Sequence, residues 1–152
     1  MKIRKANEQD CAELVRLMRQ LWPDAPEAEL TPEVRLGIRS DKMHYFIAET
    51  DAAVGFCQLS FRHDYVPGTT SSPTAFVEGI YVDEVFRGQD VATRLVEAAA
   101  AYARSKGCDE LASDTEVENA GSQRFHERIG FREVERTVHY VKSSLASKRE
   151  SF

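Results

Sequence analysis

Two adjacent stretches decide the fold of this chain: Phe76-Val-Glu-Gly-Ile-Tyr-Val82 and Phe86-Arg-Gly-Gln-Asp-Val-Ala-Thr93. The first is typical of a strand, and the second predicts a short basic loop that leads into a helix. A helix N-terminus exposes unpaired backbone N–H groups and the positive end of the helix dipole, so such a junction suits a phosphate. Arg87 brings a positive charge to it. The junction therefore predicts an enzyme that uses a phosphorylated cofactor.

Helical and strand patterns follow one another on both sides of this junction. Asn7 is expected to cap a helix over Glu8–Leu21 that ends at Trp22-Pro23, and Thr31-Pro32 to begin a second helix. The other predicted elements are strands at His44–Thr50, Val54–Phe61, Glu110–Thr115 and Phe131–Val141 (one or two strands), helices at Thr31–Arg39, Val91–Lys106 and Ala120–Ile129, and a loop at His63–Pro73. This order predicts an α/β layered fold with one mixed sheet. Residues 1–142 are expected to form a single domain and residues 143–152 a flexible tail.

Composition narrows the class of protein. A chain of 152 residues predicts one domain, and a net charge of −5 argues against a nucleic-acid partner and fits a cationic substrate. It has no apolar run of about 18 residues, so no membrane span is expected. The N-terminus lacks a signal-peptide pattern. Three cysteines without CxxC spacing indicate reduced, buried thiols and a cytoplasmic protein.

Several other kinds of site are disfavoured. The junction lacks the GxxxxGK[ST] and GxGxxG patterns of nucleotide triphosphate and dinucleotide sites. The four histidines show no metal-ligand spacing, and no GxSxG sequence supports a serine nucleophile. Cys57 and Cys108 lie in apolar surroundings and are expected to be inert. Without a candidate nucleophile, direct transfer between two substrates in a ternary complex is favoured over a covalent enzyme intermediate.

The junction resembles the acyl-CoA binding pattern of the GNAT acetyltransferases. The family pattern Arg/Gln-x-x-Gly-x-Gly/Ala stands here as Arg87-Gly-Gln-Asp-Val-Ala92. Downstream, Asn119, Ser122 and Phe125-His-Glu-Arg-Ile-Gly-Phe131 are similar to the family's Asn-x-x-Ala…Leu-Tyr-x-x-x-Gly-Phe block. The resemblance implies the GNAT fold, with a mixed, mostly antiparallel sheet flanked by helices, and acetyl-CoA as co-substrate without a metal. It assigns acetyl-CoA contacts to Ile80, Tyr81, Val82, Arg87, Gly88, Gln89, Asp90, Val91, Ala92, Thr93, Asn119 and His126.

Two residues depart from the family pattern. Asp90 replaces the first glycine; aspartate tolerates the left-handed conformation and is a good N-cap, although its charge beside a pyrophosphate opposes binding. His126 stands where many GNAT enzymes carry the tyrosine that protonates the leaving thiolate. Either a proton donor or a residue of the helix surface fits this histidine.

The likeness extends to the aminoglycoside 6′-N-acetyltransferases over nearly the whole chain, to about Lys142. The stretches that carry it are Leu21-Trp-Pro23, Arg62-His-Asp-Tyr-Val-Pro-Gly-Thr-Thr-Ser-Ser-Pro73, Phe76-Val-Glu-Gly-Ile80, Ala112-Ser-Asp-Thr115 and Gly130-Phe-Arg-Glu-Val-Glu-Arg136. The resemblance implies acetylation of the 6′-amino group of aminoglycosides, antibiotic resistance and a homodimer.

Two carboxylates are the candidate catalytic residues. Glu78 is expected on the same strand face as Phe76 and Ile80, where it either accepts the substrate ammonium or forms a structural ion pair. Asp114 ends its strand, where α/β sheets carry their sites, and the resemblance implies contact with the reacting amine. An Asx-turn is the alternative role for this aspartate.

Three further residues complete a predicted substrate pocket. The resemblance implies a substrate contact for Glu135, which is expected on a late strand. Trp22 and Tyr65 are aromatics flanked by loop signals. Each is either a core residue or an amphipathic ring that suits the face of a sugar. An anionic pocket with aromatic edges favours a polyamino sugar. The alternatives are a GNAT enzyme for polyamines or protein N-terminal amines, and a non-catalytic acyl-CoA-binding regulator.

Overall fold

A mixed sheet with helices on both faces organises the chain in a computed structural model that describes residues 1–145. Its strands are β1 (Lys2–Lys5), β2 (Met43–Glu49), β3 (Ala53–Arg62), β4 (Thr74–Val82) and β5 (Leu111–Ser113), and its helices are α1 (Cys11–Leu21), α2 (Glu27–Arg39), α3 (Val91–Ser105) and α4 (Ala120–Arg128). The strand order is β1-β2-β3-β4-β5, antiparallel except for the parallel pair β4 and β5. This confirms the predicted mixed, mostly antiparallel sheet. No helix of residues 1–145 is long and apolar enough to cross a membrane.

The first helix begins and ends as predicted. Asn7 accepts a hydrogen bond from the backbone N–H of Gln9, and Asp10 in return accepts one from the N–H of Asn7, so the two form a capping box. A short 3₁₀ turn then leads into α1. The helix ends at Trp22, whose backbone leaves the helical region before Pro23.

The predicted start of the second helix is wrong. Helix α2 begins at Glu27 after Pro26, and Pro32 lies inside it. Glu27 and Glu29 occupy the first turn, where negative charge favours the helix dipole. Proline has no backbone N–H, so Pro32 removes one hydrogen bond of the helix. Tertiary packing holds the helix in spite of this loss. A proline of the helix interior was therefore mistaken for a first-turn proline.

Two apolar clusters cover the two faces of the sheet. One contains Cys57, Leu59 and Val77 of the sheet with Leu95 and Ala99 of α3. The other packs helices α1 and α2 against the opposite face. All three cysteines are free and buried, as predicted, and burial raises the pKa of Cys57 to about 12. The Cys57 thiol is therefore neutral at physiological pH and is no nucleophile.

A β-bulge at Glu78 changes the direction of the side chains along β4. Gly79 pairs with Gln58 and Val77 with Leu59, so Glu78 is the extra residue of the bulge. Beyond it, Ile80 packs with the cluster on the α3 face. The prediction that Glu78 and Ile80 share a strand face is therefore wrong, because one inserted residue shifts the two-residue alternation.

Strands β4 and β5 pair over only three positions and then separate. Ala75, Phe76 and Val77 lie opposite Leu111, Ala112 and Ser113. Strand β4 continues to Val82 along an edge that β5 does not cover. The sheet therefore has an open backbone edge beside the bulge.

The predicted strands at Phe131–Val141 are absent, because the chain beyond α4 forms no ladder with any strand of residues 1–145. Its large apolar side chains face solvent, and these are Val134, Val138, Tyr140, Val141 and Leu145. A strand pattern in the sequence has therefore no partner strand within the described chain. Of the predicted tail, residues 143–145 are exposed coil, and residues 146–152 lie outside the described residues.

Candidate active site

The predicted anion site lies at the N-terminus of α3. Asp90 adopts the left-handed conformation (φ 60°, ψ 19°) that was expected of an aspartate in place of the family glycine. Its backbone carbonyl accepts from Arg94 at 3.0 Å, whereas its carboxylate caps no N–H. This is the first hydrogen bond of the helix, so the N–H groups of the residues before Arg94 in the first turn have no intrahelical acceptor. Gly88 (φ 77°) has no atom within 4 Å of the position of a Cβ, so the loop stays open to a ligand.

A groove of about 340 Å³ lies along this turn. It is lined by Val82, Phe86, Arg87, Gly88, Asp90, Val91, Ala92, Thr93 and Arg128. Arg87 is exposed at the rim of this groove, and its Nε donates to the carbonyl oxygen of Val82 at 2.9 Å. Arg128, from the last turn of α4, was not predicted; it brings a second cation to a groove already suited to phosphate.

The groove continues onto the open edge of β4. The N–H of Asp83 donates to Val54 on β3 at 2.8 Å. Backbone N–H groups alternate along a strand, so those of Val82 and Ile80 point toward the uncovered edge. These donors suit a thioester carbonyl next to the phosphate site, whereas the Tyr81 backbone faces β3. The open edge, the free helical N–H groups and the groove together fit an acyl-CoA.

Glu78 lies beside this edge and takes part in a dense set of hydrogen bonds. Arg62 donates from Nε to Oε1 at 2.9 Å and from Nη2 to Oε2 at 2.8 Å. The hydroxyl of Ser60 donates to Oε1 at 2.6 Å. Glu78 therefore forms the ion pair that the alternative interpretation of this residue predicted.

Asp114 follows the last residue of β5 and is exposed. Ser113 lies opposite Val77 in the parallel β4–β5 pair. Asp114 follows Ser113 and Glu78 follows Val77, so the two carboxylates come to the same end of this pair. The hydrogen bond with Glu78 and then the charges of Glu78 and Asp114 raise the pKa of Arg62. Two carboxylates therefore surround one guanidinium beside the open edge.

His126 joins α4 to β5. Its Nδ1 lies 2.7 Å from the carbonyl oxygen of Ser122 and its Nε2 lies 2.8 Å from Oγ of Ser113. A carbonyl only accepts, so Nδ1 carries a proton, and Nε2 forms its hydrogen bond with the Ser113 hydroxyl. Phe131 packs against the ring edge at 5.2 Å. His126 therefore holds the residue next to Asp114 and lies outside the lining of the groove.

Asn119 begins the helix that carries this histidine. Its side-chain oxygen accepts from the backbone N–H of Ser122 at 3.0 Å. Asn119 is therefore an N-cap in this structure. Gln89 lies in the loop before α3 and donates to the carbonyl oxygen of Val85 at 3.3 Å.

The predicted aromatic edges differ in their surroundings. Trp22 packs against Phe56, with ring centroids 6.2 Å apart, and lies directly over Gly79 beside Glu78. Tyr65 belongs to the loop between β3 and β4 and is 80% exposed. Trp22 is thus next to the acidic residues, and Tyr65 extends into solvent.

The predicted substrate residue Glu135 was expected on a late strand, but it lies in none of the strands of residues 1–145. It is exposed and lies on the segment after α4. Its neighbour Val134 touches Gly68, where an added Cβ would come within 2.7 Å of the valine side chain. Glu135 therefore lies beside the loop that carries Tyr65.

Comparison with known proteins agrees with this geometry. The sequence model of the acetyltransferase (GNAT) family matches residues 12–131. An aminoglycoside N(6')-acetyltransferase type 1 of Salmonella enteritidis is 41% identical over 143 residues, covering 93% of this chain and 99% of that protein. One of Acinetobacter genomosp. 13 is 38% identical, with 93% and 98% covered.

A solved structure is similar throughout the fold. AAC(6')-Iy in complex with the bisubstrate analog CoA-S-monomethyl-acetylneamine matches with a TM-score of 0.89 at 41% identity, covering 93% of this chain and 97% of that chain. The phosphate site, the open strand edge and the extent of these matches lead to one conclusion. The chain belongs to the GNAT family of acetyltransferases.

Proposed function

We propose that this chain transfers the acetyl group of acetyl-CoA to the 6′-amino group of aminoglycosides and thereby confers resistance to these antibiotics. One observation carries the proposal: two carboxylates, Glu78 and Asp114, lie at the point where the uncovered edge of β4 begins. That arrangement brings an ammonium next to an acyl donor. The relatives named above act on this class of substrate by name, and they match the chain over almost its whole length.

The residues proposed to hold acetyl-CoA lie along the groove and the strand edge. Arg87 to Thr93 and Arg128 surround the pyrophosphate, with the free N–H groups of α3 as donors. The backbone of Ile80 and Val82 runs beside the pantetheine and the acetyl group. When bound, acetyl-CoA supplies an activated acetyl thioester.

The chemistry requires an unprotonated amine and a place for negative charge. The substrate enters as an ammonium ion, and Asp114 accepts a hydrogen bond from it and draws away one proton. The amine nitrogen bonds to the acetyl carbon, and the carbon–sulfur bond breaks. Backbone N–H groups on the edge of β4 stabilise charge on the carbonyl oxygen. The nitrogen then loses a second proton; one of the two ends on the CoA sulfur and the other in solvent.

The remaining substrate contacts are proposed from their positions. Trp22 offers a rigid apolar face next to Glu78 for a sugar ring. Contacts by Tyr65 and Glu135 are proposed from the resemblance, since both residues are exposed on the loop side of the domain. A polycationic sugar fits an acidic protein of net charge −5. Reduced, buried cysteines and the use of acetyl-CoA support a cytoplasmic location.

Thiol release from acetyl-CoA tests the reaction and its regiochemistry together. We expect turnover with kanamycin and tobramycin, which carry a 6′-amino group, and none with paromomycin, which carries a hydroxyl there. The absence of thiol release with all three aminoglycosides would refute the proposal. Competition by spermine as strong as by tobramycin would favour a polyamine or protein N-terminal amine as acceptor. CoA binding by calorimetry without thiol release from any amine would favour a non-catalytic regulator.

We also propose a homodimer formed through the segment after α4. Val134, Val138 and Tyr140 alternate along it, and the last two are 71% and 89% exposed. Within residues 1–145 this alternating apolar segment pairs with no strand, and no strand covers the outer edge of β5. Such a segment and such an edge suit pairing with a second copy.

Sedimentation checks the dimer. The wild-type protein should sediment at twice the 17.2 kDa mass of the chain, and Val138→Asp should give the single-chain mass, because a charge replaces an apolar contact. Leu36→Asp is the matched control, since Leu36 is 67% exposed on α2. A wild-type protein that is only monomeric would contradict the proposal.

A further inference from the structure

The charge of Glu78 is balanced by a cation of the chain itself. The two hydrogen bonds from Arg62 have the parallel geometry of a guanidinium–carboxylate fork. Ser60 supplies a third donor, to Oε1. A carboxylate offers about four acceptor positions, so one position remains open, and it lies on Oε2.

Arg62 is fixed from a second direction. Its Cζ atom lies 3.5 Å from the centroid of the Phe76 ring, so the guanidinium stacks on an aromatic face while it binds Glu78. The Arg62 side chain is 41% exposed and that of Glu78 is 23% exposed. A substrate therefore meets the guanidinium from the solvent side.

We infer that Arg62 is a positioning residue: it holds Glu78 with one acceptor site of Oε2 open, and it limits how tightly a polycationic substrate binds before reaction. The inference rests on the proposed function, because it requires an ammonium-bearing substrate at Glu78. In this arrangement Asp114 carries the uncompensated negative charge of the site. Glu78 then orients the bound amine more than it attracts it electrostatically.

Loss of the guanidinium has two opposite consequences. An unpaired Glu78 attracts cations more strongly, so substrate binding becomes tighter. The same carboxylate loses its fixed orientation, so the amine is bound in several poses and reaches the acetyl group less often. Both kcat and KM should therefore fall, a combination that loss of simple structural support does not produce.

The experiment compares Arg62→Met with Arg39→Met. Arg39 also pairs with a glutamate, Glu8, but on the protein surface, so the control removes the same charge. Thiol release gives kcat and KM, and calorimetry gives the Kd for tobramycin in the presence of CoA. We expect Arg62→Met to lower Kd and KM about threefold or more and kcat about tenfold, with Arg39→Met unchanged.

Two milder variants test the role of Arg62 if Arg62→Met does not fold. Arg62→Lys keeps the charge without the fork, so Kd should stay near wild type while kcat falls by roughly threefold or more. Ser60→Ala removes one donor to Oε1 and should also lower kcat at an unchanged Kd. Unchanged kcat in both milder variants, or a raised KM with unchanged kcat in Arg62→Met, would overturn the inference.

The proposed function and this inference fail in different ways. Wild-type protein that releases no thiol with any aminoglycoside contradicts the function. Active wild-type protein with Arg62→Met indistinguishable from Arg39→Met contradicts only the role of Arg62.

Discussion

Asp114→Asn should lower kcat for tobramycin acetylation about 100-fold, since proton transfer by a positioned side chain contributes at least that much in typical enzymes. Asparagine has almost the same shape but carries no charge and takes no proton from an ammonium. Asp114 is exposed and directly follows β5, so its replacement leaves the core untouched. The KM for acetyl-CoA should stay near wild type, because the groove at α3 does not include this residue.

The matched control for this variant is Asp109→Asn. Asp109 is exposed and lies shortly before the other end of β5, so the control makes the same chemical change outside the opposite end of that strand. Steady-state thiol release measures both variants. A kcat for Asp114→Asn within about threefold of the control would remove Asp114 from its assigned role.

Gly79→Ala should weaken both the fold and the binding of aminoglycoside. An added Cβ would lie 2.5 Å from Cη2 and 2.8 Å from Cζ2 of Trp22, and 3.1 Å from Cδ2 of Leu21. The indole is rigid and packs against Phe56, so it must move as a unit. We expect a loss of about 1–3 kcal/mol in the free energy of unfolding, which is typical of overpacking. The KM for tobramycin should rise about tenfold, because the displaced ring no longer faces the sugar.

Gly121→Ala is the control for this second prediction. Gly121 lies in the first turn of α4, and the nearest atoms to an added Cβ are 3.9 Å and 4.0 Å away. Alanine there should be neutral or slightly stabilising. Urea unfolding gives the stability, and thiol release gives KM. Equal stability of Gly79→Ala and wild type would show that Trp22 is not held against β4 as described.

Short-range signals predicted much of the fold. Asn7 caps the first helix as predicted, by accepting from the N–H of Gln9 only two residues away. Asp90 likewise adopts the left-handed conformation that its residue type tolerates. Such features depend on neighbours in the chain, so one sequence contains the information that they need.

Features that depend on pairing between distant residues were missed. The bulge at Glu78 is defined by its register with β3, which no local pattern encodes. The fork from Arg62 joins residues 16 apart in the sequence, and Arg62 appeared only as part of a resemblance. The predicted strands beyond Phe131 failed for a related reason: alternation indicates a strand, and a ladder still requires a partner.

The bulge has a consequence for how enzymes of this design diversify. Upstream of Glu78, β4 pairs with both neighbours, next to the proposed acceptor side. Downstream, Ile80 to Val82 have an edge that β5 does not cover, next to the proposed acetyl donor. The single inserted residue of the bulge separates these two segments of β4. Substitutions that alter the acceptor side, around Trp22 and Glu78, therefore leave the donor edge in register. A lineage under pressure from a new antibiotic can thus change its choice of amine while it inherits its acyl-transfer machinery intact.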